Sequence, residues 1–272
     1  MLTSYFVNTV GLVTVMADSS YYRLFSGYSQ RDNFDVVFRS ALEDVADKVD
    51  FSWIKSCLAF GPGSGEREME FIRRLMPNLR SLVAVERDHE SAKALRKNFE
   101  EGRLPGVELS VVETSLESWS GADSPVDALL FINVLAHVNS ADRKALFQKM
   151  TTRYLNSRGA VVIVDNSCSK PSGYLLLIER LVGKKRDVYE VMEKEMLDAG
   201  FHVVLTEDLR IHRDLKNPSD EVVKFVQFMT DYKSSEQDIR TAIDDIKIIQ
   251  SAEHGHLHQE TGHFHDKLNI DS

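Results

Sequence analysis

The chain has 272 residues, and 33 Lys+Arg against 42 Asp+Glu give it a formal charge of −9. This acidic balance argues against a nucleic-acid coat or a polybasic membrane anchor, since both need surplus lysine and arginine. With 43% hydrophobic and 28% charged residues, the composition is that of a folded globular protein. Cys57 and Cys168 are too few for a disulfide framework, so a reducing compartment, the cytoplasm, is the expected location.

An apolar run at residues 5–16 lies near the start of the chain. It is too short to span a bilayer. Ala17 could end a signal peptide, but no basic segment precedes the run, and Asn8 and Thr9 interrupt it. We therefore interpret residues 1–20 as a segment that is docked on the domain or disordered, with a cleaved signal as the alternative.

Short apolar runs from residue 57 onward each predict a buried strand. They are residues 57–60, 82–86, 107–112, 126–132 and 160–165. Continuous apolar runs, rather than alternating ones, indicate a parallel sheet covered on both faces. Helical patterns lie between them at residues 66–76, 91–101 and 141–155. Strands that alternate with helices predict an α/β fold with a doubly wound, Rossmann-like, mostly parallel sheet.

The flanking regions are predicted to be more helical. Further helices are expected at residues 34–50, 187–199, 219–229 and 236–249, with one strand at 201–205. The helix at 141–155 is predicted to bury Ala145, Leu146, Met150 and Tyr154. Residues 21–250 are therefore predicted to form one domain with helical additions at both ends, followed by a histidine-rich tail at 251–272.

The sharpest motif is the loop Gly61-Pro62-Gly63-Ser64-Gly65-Glu66, between a predicted strand and a predicted helix. Glycines allow a ligand to approach the backbone closely, and a helix start favours anionic groups. A dinucleotide fingerprint would carry its third glycine at position 66, where this chain has Glu66. The motif thus favours a nucleoside with a carboxylate and a cationic centre but no phosphate. A plain tight turn and a nicotinamide-dependent enzyme are the alternatives.

Acidic and hydroxyl side chains follow the next two predicted strands. Glu86 ends the second, where a carboxylate can accept hydrogen bonds from both ribose hydroxyls. Glu113, Thr114 and Ser115 follow the third, where polar groups could reach an adenine edge. Singly, each fits a solvated strand end, but in this order and after these strands they predict a nucleoside site.

These motifs resemble those of the class I S-adenosylmethionine-dependent methyltransferases. The likeness rests on the segments CLAFGPGSGE, LVAVERD, VVETSLESW and VDALLFINVLAHV, and it covers residues 21–250. Within that superfamily it is closest to the histamine N-methyltransferase family. The resemblance implies S-adenosyl-L-methionine as cofactor and N-methylation of a small amine or imidazole by a monomeric enzyme.

The resemblance also implies roles for individual residues. The cofactor-binding set is Gly61, Pro62, Gly63, Gly65, Glu86, Arg87, Thr114, Ser115 and Ile132. Asn133 would sit beside the methyl group and Tyr22 would line the amine pocket. From the chemistry of the reaction, Asn133 could orient the acceptor, His137 could accept its proton, and Asp32 could bind an ammonium tail. A structural histidine is the alternative for His137, and an aromatic core stripe is the alternative for the stretch around Tyr22; no metal is assigned to the site.

Two departures from the family pattern are visible. Many class I enzymes place an acid two residues before the first glycine, where this chain has Ala59. Histamine-type enzymes also lack that acid. After the fourth strand the family carries two aromatic residues, whereas this chain has Ala136 and His137, which leaves the acceptor open.

The tail carries His254, His256, His258, His263 and His265. Folded as a hairpin, it would place all five on one face, where they could bind Zn²⁺, Cu²⁺ or Ni²⁺. A solvated or disordered tail is the favoured alternative. Enzymes of this class usually end in an antiparallel strand between the fifth and sixth strands, and a histidine-rich segment is a poor candidate for that place. Besides the enzyme, a catalytically inactive methyltransferase-like binding protein and a metal-binding tail remain possible functions.

Overall fold

The computed structural model describes residues 2–7, 34–121, 124–135, 138–165, 180–181, 189–207, 209, 220–229 and 235–244. Several residues singled out from the sequence lie outside this part of the chain. They are Tyr22, Asp32, Ala136, His137, Cys168 and the five tail histidines.

One sheet contains all the strands described. They are β1 Leu2–Val7, β2 Ser56–Phe60, β3 Ser81–Glu86, β4 Glu108–Glu113, β5 Val126–Ile132, β6 Leu155–Val164 and β7 Phe201–Glu207. The helices are α1 Phe34–Ala46, α2 Glu66–Leu75, α3 His89–Asn98, α4 Ser140–Lys149, α5 Tyr189–Asp198 and α6 Asp220–Met229. Residues 236–244 are also helical. Short π-helical segments, Phe99–Arg103 and Met150–Tyr154, continue α3 and α4.

The sheet has the order β4-β3-β2-β5-β6-β1-β7, and each described strand pair is parallel. This confirms the predicted doubly wound α/β fold. From β2 the chain moves outward to β4 and then returns to β5 on the other side of β2. The carboxyl ends of β2 and β5 therefore form a topological switch point, where open α/β sheets bind their ligands.

Strand β1 was not among the strands predicted from the sequence. It lies between β6 and β7 and pairs in parallel with both. In the family that the sequence resembles, a C-terminal antiparallel strand usually occupies this place. The segment LTSYFV mixes polar and apolar residues, so it lacks the continuous apolar run by which the other central strands were recognised.

Apolar clusters cover both faces of the sheet. On one face α1 and α2 pack on β2, β3, β5 and β6, and on the other α4 and α5 do so. Phe60 of β2 stacks on Phe131 of β5 with ring centroids 4.9 Å apart. The prediction of strands buried on both faces is wrong for β4, whose residues are exposed or half-buried because β4 forms the edge of the sheet.

Helix α4 departs from its predicted apolar stripe. Leu146, Met150 and Tyr154 are buried as expected, but Ala145 is exposed. Arg143 is buried instead, with 1% of its surface exposed. From the sequence alone a charged residue is predicted to face solvent. Arg143 is buried because it pairs with Glu195 of α5, which is distant in the sequence and could not be identified as its partner beforehand.

Candidate functional site

The switch point brings together three segments that are distant in the sequence. Gly61 directly follows β2, Glu86 is the last residue of β3, and Asn133 directly follows β5. The Gly61 N–H donates to the Val85 carbonyl at 2.8 Å, and the Asn133 N–H donates to the Val164 carbonyl at 2.7 Å. These bonds continue the sheet ladder, so a rigid scaffold holds the first residue of each loop.

The glycines of the loop are required for different reasons. Gly61, Gly63 and Gly65 have φ of 56°, 58° and 75°, in the left-handed region that favours glycine. A Cβ on Gly63 would meet none of the described residues within 4 Å, so this residue borders open space in that part of the structure. A Cβ on Gly65 would lie 2.1 Å from Leu95 Cδ1. Gly63 thus leaves room for a ligand, whereas Gly65 leaves room for helix α3.

Helix α3 supports the loop from outside. The Asn98 side-chain amide donates to the Ser64 carbonyl at 3.0 Å, and Leu95 packs against Gly65. The Gly65 N–H donates to the Pro62 carbonyl at 2.8 Å and closes the turn. The sequence placed Leu95 on the apolar stripe of the helix at 91–101, but the contact of Leu95 and Asn98 with the loop could not be predicted, because both residues follow the next strand.

Glu86 connects β3 to the glycine loop. Its Oε2 accepts from the Gly63 N–H at 2.8 Å, and its Oε1 accepts from the Asp88 N–H at 2.9 Å. The side chain is buried, with 6% of its surface exposed, so it is not a solvated strand end. Burial raises the pKa of Glu86, and the two N–H donors partly offset this. Because an ionised carboxylate has about four acceptor positions, it can accept two further donors.

The exit of β5 packs against the same loop. Asn133 has φ of 60° and, in the described part of the chain, is the one non-glycine residue with positive φ. Such strain is tolerated by asparagine and often marks a functional position. Ile132 before it is buried, and Val134 after it would meet a Cβ on Gly61 at 3.1 Å. Gly61 and the exit of β5 are therefore neighbours.

Two of the polar residues at the end of β4 and directly after it form hydrogen bonds within the protein. Glu113 accepts from Arg96 at 2.6 Å and contacts His89 Nδ1 at 2.7 Å, and the hydrogen bonds from His89 and Arg96 lower the pKa of Glu113. The Ser115 hydroxyl accepts from the Ser118 N–H at 3.2 Å. Thr114 is half-buried. Glu113 is thus bound to α3, and Ser115 caps its own turn.

Arg87 is exposed directly after Glu86. The structure therefore brings Gly61, Pro62, Gly63, Gly65, Glu86, Ile132 and Asn133 to one edge of the sheet, and gives Arg87, Thr114 and Ser115 places at the ends of β3 and β4.

Glu68, in the first turn of α2, was missed by sequence reasoning. Only 4% of its surface is exposed, and burial raises the pKa of Glu68 to about 8. A glutamate at a helix start usually faces solvent and the helix dipole, so no sequence signal pointed to a buried acid.

A groove of about 430 Å³ lies between α1 and α2. Its lining residues are Asp35, Phe38, Arg39, Glu66, Arg67, Met69, Glu70 and Arg73. None of the predicted site residues lines it. Its acids and arginines pair with one another, for example Arg67 with Asp35 at 3.4 Å and Arg73 with Glu70 at 2.5 Å.

The described residues contain neither a membrane-spanning helix nor a metal-binding cluster. None of the helices there has the length and apolar character needed to cross a bilayer. The same residues contain no group of three or more His, Cys, Asp or Glu side chains arranged to hold a metal ion.

No family model and no curated protein matches the chain. Solved structures do match. The cyclopropane synthase MmaA2 from Mycobacterium tuberculosis aligns with a TM-score of 0.51 and 14% identity, over 78% of this chain and 79% of that one. The [4+2]-cyclase SpnF aligns with a TM-score of 0.50 and 16% identity, over 77% of this chain and 76% of that one.

The mitomycin 7-O-methyltransferase MmcR aligns with a TM-score of 0.47 and 18% identity, over 60% of this chain. The match spans 47% of that protein, about half its length. These names give no support to the closer resemblance to histamine N-methyltransferases, which stays a prediction. The chain shares the doubly wound fold of MmaA2 and SpnF, and because those two are named for different reactions, its chemistry has to be argued from its own site.

Proposed function

We propose that this protein is an S-adenosylmethionine-dependent methyltransferase that methylates a nitrogen of a small amine or imidazole. One observation carries the proposal. The buried Glu86 carboxylate is fixed by two backbone N–H groups beside the open side of Gly63, at the switch point of the sheet.

The residues at this edge fit the proposed cofactor. The Glu86 carboxylate keeps acceptor positions for the two ribose hydroxyls, and the open space at Gly63 admits the methionyl part. Ile132, Thr114 and Ser115 are proposed to border the adenine. The proposed cofactor-binding set remains Gly61, Pro62, Gly63, Gly65, Glu86, Arg87, Thr114, Ser115 and Ile132.

The bound cofactor would supply an electrophilic methyl group on a sulfonium. The acceptor nitrogen forms the new bond with its own lone pair, while the sulfur keeps the electrons of the bond that breaks. A neutral amine or imidazole therefore needs no strong base. What the chain supplies is alignment, which contributes about 7–11 kcal/mol in favourable cases.

Asn133 is proposed to orient the acceptor, since it stands at the exit of β5 beside Gly61. His137 is proposed to accept the proton that the nitrogen loses. Tyr22 and Asp32 are proposed to bind an ammonium tail through the aromatic face and the carboxylate. The acceptor is a small molecule in this proposal, and the protein acts as a cytoplasmic monomer without nucleic acid or membrane.

A second candidate function rests on the comparison with SpnF. A protein named as a [4+2]-cyclase has this fold. The nucleoside site of this chain would then bind its ligand without transferring a methyl group, as in a catalytically inactive methyltransferase-like protein.

Calorimetry with S-adenosylhomocysteine tests the site. We expect the unmodified protein to bind it and Glu86→Ala to weaken binding by about tenfold or more, because each lost charge-assisted hydrogen bond removes about 1.5–3 kcal/mol. Glu90→Ala is the matched control, because Glu90 lies in the first turn of α3 and, among the described residues, pairs only with Lys93, at 3.9 Å. Absence of binding to the unmodified protein would contradict the proposal.

A methyl-transfer screen separates the two candidate functions. Histamine, other imidazoles, catechols and phenols are offered with S-adenosylmethionine, and the products are identified by mass spectrometry. Methylation on nitrogen is expected. Methylation of oxygen acceptors alone would contradict the acceptor class, and tight cofactor binding with no methylated product would favour the binding protein.

A further inference from the structure

Glu68 is a buried acid for which the described part of the structure supplies no partner. Its side chain is 4% exposed, and its only hydrogen-bond donor among the described residues is its own backbone N–H. Glu86, which is equally buried, receives two N–H donors from other residues. Burying a carboxylate without a donor or a cation is costly, so the lack of a partner for Glu68 among the described residues points to a ligand.

The position of Glu68 follows from the strands beneath it. Cys57 and Ala59 share one face of β2, and Ala84 and Glu86 share the same face of β3, because side chains alternate along a strand and Ala59 pairs with Ala84. The charge of Glu68 raises the pKa of Cys57 in β2, and the charge of Glu86 at the end of β3 raises the pKa of Glu68. These couplings place the Glu68 carboxyl group between Cys57 and Glu86, on the face of the sheet that carries the two alanines.

The two alanines make room for this side chain. Both are completely buried, and α2 packs on this face of the sheet through Met69 and Ile72. Two residues before the first glycine, the chain has Ala59 instead of an acid. Glu68 brings a carboxylate to the same face of the sheet from helix α2, in the first turn after the glycine loop.

No side-chain cation among the described residues is paired with Glu68. Arg67 is its neighbour in sequence, but its guanidinium binds Asp35 at 3.4 Å and stacks on the Phe34 ring at 3.9 Å. The described residues also hold no group of three metal-ligating side chains. A single carboxylate in this setting suits a ligand cation that brings its own charge and hydrogen-bond donors, such as an ammonium group.

We propose that Glu68 binds the α-ammonium group of the amino-acid portion of the cofactor, in place of the acid that is absent at position 59. This inference rests on the proposed function. Glu68 is thereby assigned to ligand binding. The affinity for ligands that lack the amino-acid portion is predicted not to depend on this residue.

A proton is expected to leave Glu68 when the ammonium binds. Burial raises the pKa of Glu68 to about 8, the charge of Glu86 adds to this, and its own N–H and Arg67 partly offset it. The nearby Cys57 thiol stays neutral, since burial raises its pKa as well. Near neutral pH the carboxyl is thus protonated in the free protein, and an arriving cation favours the ionised form.

Calorimetry with two ligands tests the proposal. S-adenosylhomocysteine carries the ammonium group, whereas 5′-methylthioadenosine lacks the whole amino-acid portion. We expect Glu68→Gln to weaken binding of S-adenosylhomocysteine by about tenfold and to leave binding of 5′-methylthioadenosine unchanged. Repeating the titration in buffers of different ionisation enthalpy should show proton release with S-adenosylhomocysteine, and none with the shorter ligand or with the variant.

Glu70→Gln is the matched control. Glu70 lies on the same helix but pairs with Arg73 and Arg74 at the surface, so this variant should bind both ligands as the unmodified protein does. If the unmodified protein binds neither ligand, the proposed function fails. If it binds both and Glu68→Gln changes neither affinity, or weakens both equally, the role of Glu68 is refuted while the nucleoside site stands.

The unmodified protein provides a test that does not depend on folding of the variant. Should Glu68→Gln fail to fold, proton release on binding S-adenosylhomocysteine, compared with 5′-methylthioadenosine, decides the question. Equal proton release with the two ligands would overturn the proposal.

Discussion

Two buried glutamates on opposite faces of the sheet show how differently an acid can be accommodated. Glu195 of α5 is 5% exposed and receives the Arg143 guanidinium through Nε at 2.7 Å and Nη2 at 3.2 Å, together with the Ser140 hydroxyl. Glu68 of α2 is 4% exposed and, among the described residues, receives only its own N–H. Equal burial therefore conceals one acid, Glu195, that is satisfied by a cation and one, Glu68, that is unsatisfied within the described part of the chain.

The satisfied acid serves the scaffold. Arg143 also donates from Nη1 to the Val138 carbonyl at 2.7 Å, so the same cation holds the chain between β5 and α4. That chain begins at Asn133, the proposed acceptor-orienting residue. The buried pair thus fixes the chain that follows the exit of β5, whereas Glu68 has no cationic partner among the described residues.

Breaking the satisfied pair should have the largest effect. Arg143→Ala leaves Glu195 buried without its cation, and we expect the free energy of unfolding to fall by about 3–5 kcal/mol. Urea denaturation followed by circular dichroism measures this. Lys144→Ala, at an exposed neighbouring position, is the control and should change stability by less than about 0.5 kcal/mol.

Replacing both partners sharpens the same comparison. The double variant Arg143→Met with Glu195→Leu removes both charges while keeping apolar volume, so it should be more stable than Arg143→Ala. A double variant as unstable as the single one would show that the pair does more than neutralise a buried charge.

Removing the ionisable carboxyl group of Glu68 should have the opposite effect and raise the free energy of unfolding. Between its ordinary pKa of 4.5 and its pKa of about 8 in the folded chain, Glu68 is protonated when folded and ionised when unfolded. Its contribution to stability is complete below the ordinary value and is lost as the pH rises through this window. From about pH 6 to about pH 9, Glu68→Gln should therefore gain about 3 kcal/mol relative to the unmodified protein.

Urea denaturation at a series of pH values checks this expectation, with Glu70→Gln as the control that should follow the unmodified protein. A constant difference between Glu68→Gln and the unmodified protein across the series would contradict it. That result would mean that Glu68 ionises in the folded chain as readily as in the unfolded chain.

The glycine loop offers a smaller test of the same division between scaffold and ligand space. Gly65→Ala places a Cβ against Leu95 at positive φ and should cost roughly 2–3 kcal/mol of stability. Gly63→Ala meets no neighbour and should cost about 1 kcal/mol, but it should weaken S-adenosylhomocysteine binding because the new methyl group enters the proposed cofactor space.

Gly102→Ala is the matched control for Gly63→Ala. Gly102 also has positive φ, a Cβ on it would meet none of the described residues within 4 Å, and it lies in the π-helical segment that continues α3 instead of in the glycine loop. Thermal melting should show similar losses for these two variants, and calorimetry should show weaker ligand binding for Gly63→Ala alone. Equal ligand binding by both would remove Gly63 from the site.

Much of the fold could be predicted because its signals are local. The apolar runs that became β2, β3 and β5 are each continuous and lie between helical patterns, so their burial could be inferred without knowing their neighbours. β1 could not be recognised in this way, since its place depends on pairing with β6 and β7. The prediction that Ala145 is buried was wrong. Arg143 of the same helix is buried instead, because it pairs with Glu195 of the distant helix α5.

The candidate site likewise has features that could be predicted from short segments and features that depend on tertiary contacts. By itself the sequence determined the order of the glycine loop, Glu86 and Asn133 after their strands, because strand ends and glycine patterns are properties of short segments. Only the tertiary structure decided that Glu86 binds Gly63, that α3 supports the loop, and that Glu68 is buried with no partner in the described part of the chain. Burial and pairing are relations between distant segments, and the free energy of a charged group depends on those relations more than on its place in the sequence.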